Sequence, residues 1–175
     1  MIQISDRGFQ DREGNRMNRP IAFSRRALVV GVAAGTALSL AGRAFAKAGP
    51  AITVWKDPGC GCCGGWVDHL RRNGFVATVI ETSDVQTIKA KRSVPGELAS
   101  CHTAEIAGYT VEGHVPAQAL LRLLAEKPAG SGLAVPGMPI GSPGMEGGKP
   151  EAYDVILFGD GAPRRFARFL GEQPL

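Results

Sequence analysis

The chain has 175 residues and carries 20 Lys plus Arg against 16 Asp plus Glu, a formal net charge of +4. Hydrophobic residues make up 44%, charged residues 21% and aromatics 6%, with 24 Gly, 12 Pro and 4 Cys. This is the composition of one globular domain with a tail, and it excludes collagen-like, low-complexity, coiled-coil and polytopic membrane proteins.

An isoelectric point near 9.1 would suit nucleic acid, so the location of the positive charge matters. Seven of the twenty cations precede residue 47 (Arg7, Arg12, Arg16, Arg19, Arg25, Arg26 and Arg43), against three acids, Asp6, Asp11 and Glu13. The remaining residues, 47–175, hold thirteen charges of each sign and are formally neutral. No basic stripe remains for a nucleic-acid partner.

Residues 1–46 are ordered as an export signal. A polar, Arg-bearing region runs to Arg26, an apolar stretch follows from Ala27 to Ala41, and Ala44-Phe45-Ala46 offers small residues for cleavage after Ala46. The apolar stretch is short for a bilayer, which needs ~20 residues. Ser24-Arg25-Arg26-Ala27-Leu28 resembles a twin-arginine signal. A stop-transfer anchor or an ordinary Sec signal are the alternatives, and Met17 is an alternative start. The expectation is a periplasmic domain, 47–175, that meets a membrane only during export.

In that domain Ala51–Trp55 reads as a short buried strand, broken by Lys56-Asp-Pro-Gly59. Cys63, Trp66, Val67 and Leu70 then recur at helical spacing, and Asn73-Gly74 stops the helix. His69 falls off that face and reads as a solvated helix histidine. Phe75–Ile80 is a near-continuous apolar run, as expected of a strand covered on both faces. Ser83 or Asp84 can cap a short helix ending at Lys91, with Val85 and Ile88 facing inward. Two strands follow, Thr103–Ala107 and Tyr109–Glu112, joined around Gly108. Pro116 suits the first turn of a helix carrying Ala117, Leu120, Leu121 and Leu124. A Gly/Pro-rich loop spans 129–150, and 151–175 holds a strand at Tyr153–Phe158, a turn at Gly159–Gly161 and a last strand at Arg164–Leu170. The fold class is α/β, and the order β-α-β-α-β-β-α is that of a thioredoxin-like fold with a Gly/Pro-rich, Met-containing C-terminal extension. A structureless loop this long is uncommon unless functional or disordered. Its two methionines, Met138 and Met145, favour function.

All four cysteines and all three histidines lie in 47–175, and an exported domain meets an oxidising compartment. Cys60-Gly61-Cys62-Cys63 contains a CxxC spacing plus one more cysteine. Near a helix start, backbone N–H groups favour thiolates, which serve equally as redox nucleophile and metal ligand. Three features favour metal. The thiols outnumber what a dithiol couple needs; Cys101-His102 is expected to pack beside the cluster; and thiolate with thioether selects Cu(I). The absence of the usual proline before the third strand weakens plain disulfide exchange. Bland readings stand beside these: Cys101 in a structural disulfide, His114 as a turn histidine, Met138 and Met145 as loop plugs, and Trp66 as core or as a cover over the cluster. A thiol–disulfide oxidoreductase using Cys60 and Cys63 is the alternative function, and a zinc site of Cys60, Cys63, Cys101 and His102 is a third.

Cys60-Gly-Cys-Cys-Gly-Gly-Trp66, Leu98-Ala-Ser-Cys-His-Thr-Ala104, Gly108-Tyr-Thr-Val-Glu-Gly-His-Val-Pro116, Gly132-Leu-Ala-Val-Pro-Gly-Met-Pro139 and Gly141-Ser-Pro-Gly-Met-Glu146 resemble the CopG copper-resistance family. These blocks span about Ile52 to Phe169. The resemblance implies a periplasmic thioredoxin-like protein that binds copper through its CxCC motif, under a C-terminal extension that folds over the site. It also implies several copper ions sharing the sulfurs, and a change of oxidation state at bound copper. Carried over, it marks Cys60, Cys62, Cys63, Cys101, His102, His114, Met138 and Met145 as metal ligands. The expected function is copper sequestration and redox buffering of Cu(I)/Cu(II), with copper ions and other periplasmic copper-handling proteins as partners. No hydrolytic constellation stands out, and a metal-binding protein is expected before an enzyme.

Overall fold

The computed structural model describes residues 48–175, so the export signal expected at 1–46 lies outside the described residues. Among the described residues no helix is long and apolar enough to cross a membrane.

The elements in chain order are β1 (Ala51–Lys56), α1 (Gly61–Arg72), β2 (Val76–Glu81), α2 (Val85–Lys91), a 3-10 turn (Gly96–Leu98), β3 (His102–Ile106), β4 (Tyr109–Glu112), α3 (Ala117–Glu126), β5 (Gly132–Ala134), β6 (Ala152–Gly159), β7 (Gly161–Leu170) and β8 (Gln173–Pro174). The strands form one mixed sheet in the order β2-β1-β3-β4-β5-β6-β7-β8. The pairs β1/β2 and β4/β5 are parallel, and each is joined through a helix, as parallel neighbours require. The other pairs are antiparallel.

Local chemistry explains the helix limits. The apolar buried face of α1 is Cys63, Trp66, Val67 and Leu70, and the basic residues of its last turn suit the negative helix end. Gly74 then takes a φ of +85°, which ends the helix with no Cβ penalty. At α2 the Asp84 carboxylate accepts from the Thr87 N–H at 3.3 Å. Pro116 holds extended backbone ahead of α3, and Lys127 closes that helix in the left-handed region.

Strand alternation gives the sheet two distinct faces. On one, α1 and α3 pack through Trp66, Leu70, Leu120 and Leu123 onto Ile52, Val54, Ala104, Ile106, Val111, Leu133, Val155 and Leu157. Each Val, Leu or Ile among them contributes about 1.5–3 kcal/mol on burial. On the other face lies α2, with the Arg92 guanidinium 4.6 Å over the Trp55 ring. A smaller apolar cluster, Leu98, Ala134 and Phe158, lies apart from the main core.

The β-α-β-α-β-β-α order is present, with two differences from expectation. The strand after α1 is not covered on both faces: it is the edge of the sheet, with Val76 and Ile80 exposed and only Ala77 and Val79 packed on the core. An apolar run alone does not tell an edge from a centre. The segment 129–150 is also not all loop, because Gly132-Leu133-Ala134 is a buried strand between β4 and β6. Three residues are too few to show a period. At Gly132 a Cβ would sit 2.0 Å from the Thr110 carbonyl oxygen, so the absence of a side chain lets β5 approach β4.

Candidate metal centre

β1 ends where Lys56 faces His102 across the antiparallel pair with β3. The chain then turns back, with the Cys60 N–H donating to the Asp57 carbonyl at 3.0 Å and the Gly59 N–H to the Asp57 carboxylate at 2.8 Å. Cys60 is the residue ahead of α1, and Cys62 and Cys63 lie in its first turn. Cys60 and Cys63 are joined in a disulfide with their Cα atoms 5.4 Å apart. Cys62 Sγ is 3.6 Å from Cys60 Sγ. Cys62 and Cys101 are free thiols, both half-buried.

Cys101 stands one residue before β3 and His114 two residues after β4. The Gly113 N–H donates to the His102 carbonyl at 3.1 Å, which holds the two ends together. Cys101 Sγ lies 3.0 Å from His114 Nε2 and 3.3 Å from His102 Nδ1. Two donor groups result, each with its ligand atoms within 4.8 Å of one another: Cys60, Cys62, Cys63 and Cys101, and Cys101, His102 and His114. Cys101 belongs to both. Beneath them Trp66 is fully buried, its ring 4.3 Å from that of His102 and its N–H donating to the Val115 carbonyl at 2.8 Å.

The segment after β5 crosses this site. His114 Nδ1 is 2.7 Å from the Pro143 carbonyl oxygen, which can only accept, so the proton sits on Nδ1 and the Nε2 lone pair faces Cys101. That carbonyl orients the ring as the outer partners of metal-binding histidines do. Gly144 lies directly on α1: a Cβ there would be 2.5 Å from the Cys62 carbonyl oxygen and 2.7 Å from the Trp66 backbone nitrogen. Gly65 completes the contact, with its Cβ position 3.0 Å from Gly144 Cα. Met145 follows, half-buried. Met138 is 51% exposed and lines a cavity of about 340 Å³ with Ala99, Ser100, Cys101 and Gly137.

Burial sets the proton affinities. Desolvation pushes the Cys101 thiol up to about 11, with the neighbouring Cys62 adding to it. A metal ion taking this sulfur must therefore displace a proton. Burial lowers His102 well below the ordinary value, with His114 and Lys89 adding to the effect. His114 is lowered by burial against the opposing Pro143 hydrogen bond. Neutral imidazole is the ligating form. His102 Nε2 is buried without a hydrogen-bond partner. The donor chemistry, soft sulfur with neutral imidazole, suits copper.

His69 is not the solvated histidine expected from its helix position. It is 3% exposed, with Nε2 accepting the Ala117 N–H at 3.0 Å and Nδ1 3.1 Å from the Glu172 carboxylate. Position on α1 alone could not show that α3 and the β7–β8 turn close over it. Burial lowers its pKa, against the pull of Glu172. The Pro143 carbonyl had no signal of its own in the sequence, since a backbone group carries none.

Fold and site together define a mixed α/β protein with clustered cysteine and histidine atoms close enough together to hold a metal ion. Residues 98–145 match a family described as "Protein of unknown function, DUF411". Two solved structures, forms 1 and 2 of copper resistance protein CopG, are similar at 44% identity and a TM-score of 0.65. The first match covers 70% of this chain and 99% of that one, the second 69% and 98%. No curated protein matches. The chain belongs to the CopG-like copper-resistance family.

Three outcomes are expected for the metal-free protein. His69, His102 and His114 all have folded-state affinities below the ordinary 6.5. The unfolded chain therefore takes up protons first, so this stability is complete above pH ~6.5 and is lost as the pH falls through and below it. The urea midpoint should drop between about pH 7.5 and pH 5, and a constant or rising midpoint would contradict the neutral buried histidines. Gly144→Ala should lift the crossing segment off α1 and cost about 1–3 kcal/mol, with loss of the fixed His114 tautomer by ¹⁵N NMR. Gly64→Ala, one turn into the same helix and facing open space, should cost nothing or stabilise.

Proposed function

We propose that this protein is exported to the periplasm, by the twin-arginine route, and there sequesters copper in copper resistance. The observation that carries the reading is the pair of donor groups sharing Cys101. The family supports it through its copper-resistance members. The ligand set is Cys60, Cys62, Cys63, Cys101, His102 and His114, with Met138 and Met145 as thioether donors from the crossing segment. β1–α1–β2–α2–β3–β4–α3 is taken as a thioredoxin-like module, and 129–150 with 151–175 as the extension that covers its cysteines.

The disulfide adds a redox term. Two Cu(II) ions and the Cys60 and Cys63 thiolates convert to two Cu(I) and the disulfide, two electrons passing from sulfur to metal. Such a couple buffers copper between its oxidation states. Reduction of the Cys60–Cys63 bond must precede full Cu(I) loading, because a disulfide withholds both thiolates.

A second reading, a thiol–disulfide oxidoreductase, is favoured by that same bond. A substrate dithiol would be oxidised as the Cys60–Cys63 disulfide returns to two thiols, with two electrons and two protons transferred.

One experiment separates the readings. The reduced protein is loaded anaerobically with Cu(I), desalted and its metal counted, alongside a variant with Cys60, Cys62 and Cys63 replaced by Ser. At least one copper per chain, lost in the variant, is expected. Less than one, or binding that survives the triple replacement, sinks the copper reading. Turnover of dithiol substrates by the metal-free protein, abolished by Cys60→Ser, would put the second reading in its place.

A further inference from the structure

β3 and β4 turn one face to the candidate centre and the other to α2, and this second face hides an ionic group. Glu112 is 0% exposed, Thr103 0% and Lys89 4%. The Lys89 ammonium donates to Glu112 Oε1 at 2.5 Å and to the Thr103 hydroxyl at 3.0 Å. The Thr103 hydroxyl donates to Glu112 Oε2 at 2.7 Å, and the Ser100 backbone N–H to Glu112 Oε1 at 2.6 Å. Both carboxylate oxygens are engaged.

Stability alone is a poor reason for such a group. Desolvating two charges offsets most of their attraction, and an apolar set of similar volume often serves as well. An apolar set cannot, however, hold the Ser100 N–H. Ser100 sits between the 3-10 turn and β3, where its N–H donates to Glu112 and not to a neighbouring strand. Its hydroxyl donates to the Gly137 carbonyl at 2.5 Å, in the segment that bears Met138. The next residue is Cys101. Thr103 follows His102, and Glu112 itself is two residues before His114. One carboxylate thus braces, from behind the sheet, the backbone that delivers Cys101, His102 and His114.

We infer that Glu112, paired with Lys89, is a positioning residue that fixes the backbone at Ser100 and so holds Cys101 Sγ at the junction of the two donor groups. The inference rests on the reading of Cys101 as a copper ligand. Glu112→Gln preserves shape but puts an amide NH₂ where donors already arrive.

Two measurements test it. With the Cys60–Cys63 disulfide intact, only Cys62 and Cys101 react with iodoacetamide, so their rate ratio reports the placement of Cys101 without any metal. Competition with a chromophoric chelator gives the Cu(I) affinity of the reduced protein. Glu112→Gln should raise the Cys101:Cys62 ratio about tenfold and weaken Cu(I) binding about 10–100-fold, the range for outer partners of metal ligands. A folded Glu112→Gln protein with the wild-type ratio overturns the inference. So does an equal change in Val155→Ala, a core variant remote from the network, at the same loss of melting temperature. If Glu112→Gln does not fold, Thr103→Val, which removes one partner each from Lys89 and Glu112 and leaves their ion pair, decides on the same criteria. If the wild-type protein takes up no Cu(I), the proposed function falls, and the alkylation ratio alone still decides the role of Glu112.

Discussion

The register between β1 and β3 constrains everything around the centre. Lys56 pairs with His102, and Val54 with Ala104. This register brings the end of β1, and the cysteine turn that follows, to the start of β3, where Cys101 stands. Side chains alternate along a strand, so a slip of one residue would send His102 to the α2 face and bring Thr103 to Trp66. The apolar residues Ala104 and Ile106, seated under α1 and α3, forbid that slip because it would expose them. The hydrophobic core therefore sets the position of a polar site.

Protonation and packing work together at that site. The buried histidines carry no charge at neutral pH, and His114 has its tautomer chosen by a backbone carbonyl from a remote segment. The sulfurs behave differently. Two are held in a covalent bond, and Cys101 keeps its proton well above neutral pH. The imidazoles are ready to bind as they stand, whereas the sulfurs need electrons supplied or protons removed. Redox state and pH thus act on different members of one donor set.

Much of this was legible in the sequence. Helical spacing from Cys63 to Leu70, the turn residues around Pro58-Gly59 and the Asp84 cap each carry a local signal, and the structure has those elements. The cysteine cluster and Cys101-His102 were visible as unusual densities of soft ligands, and their proximity was an expectation from the thioredoxin-like reading of the element order. What failed were three features set by particular neighbours remote in sequence. The exposure of Val76 and Ile80 depends on α2 packing over β1 and β3 on that face of the sheet. The burial of His69 depends on Ala117 and Glu172 reaching it, and the strand at Gly132–Ala134 exists only because β4 and β6 flank it. Glu112 and Lys89 look like ordinary surface charges until the sheet is assembled.

Cys101 is counted in both donor groups, and this has a thermodynamic consequence. Two sites that share one sulfur cannot fill independently. An occupant that draws electron density from that atom alters what it offers the other group, and linkage makes the effect equal in both directions. Titration with metal should then depart from the hyperbola of identical isolated sites, with the sign of the departure telling whether the sulfur bridges two ions or must choose between them.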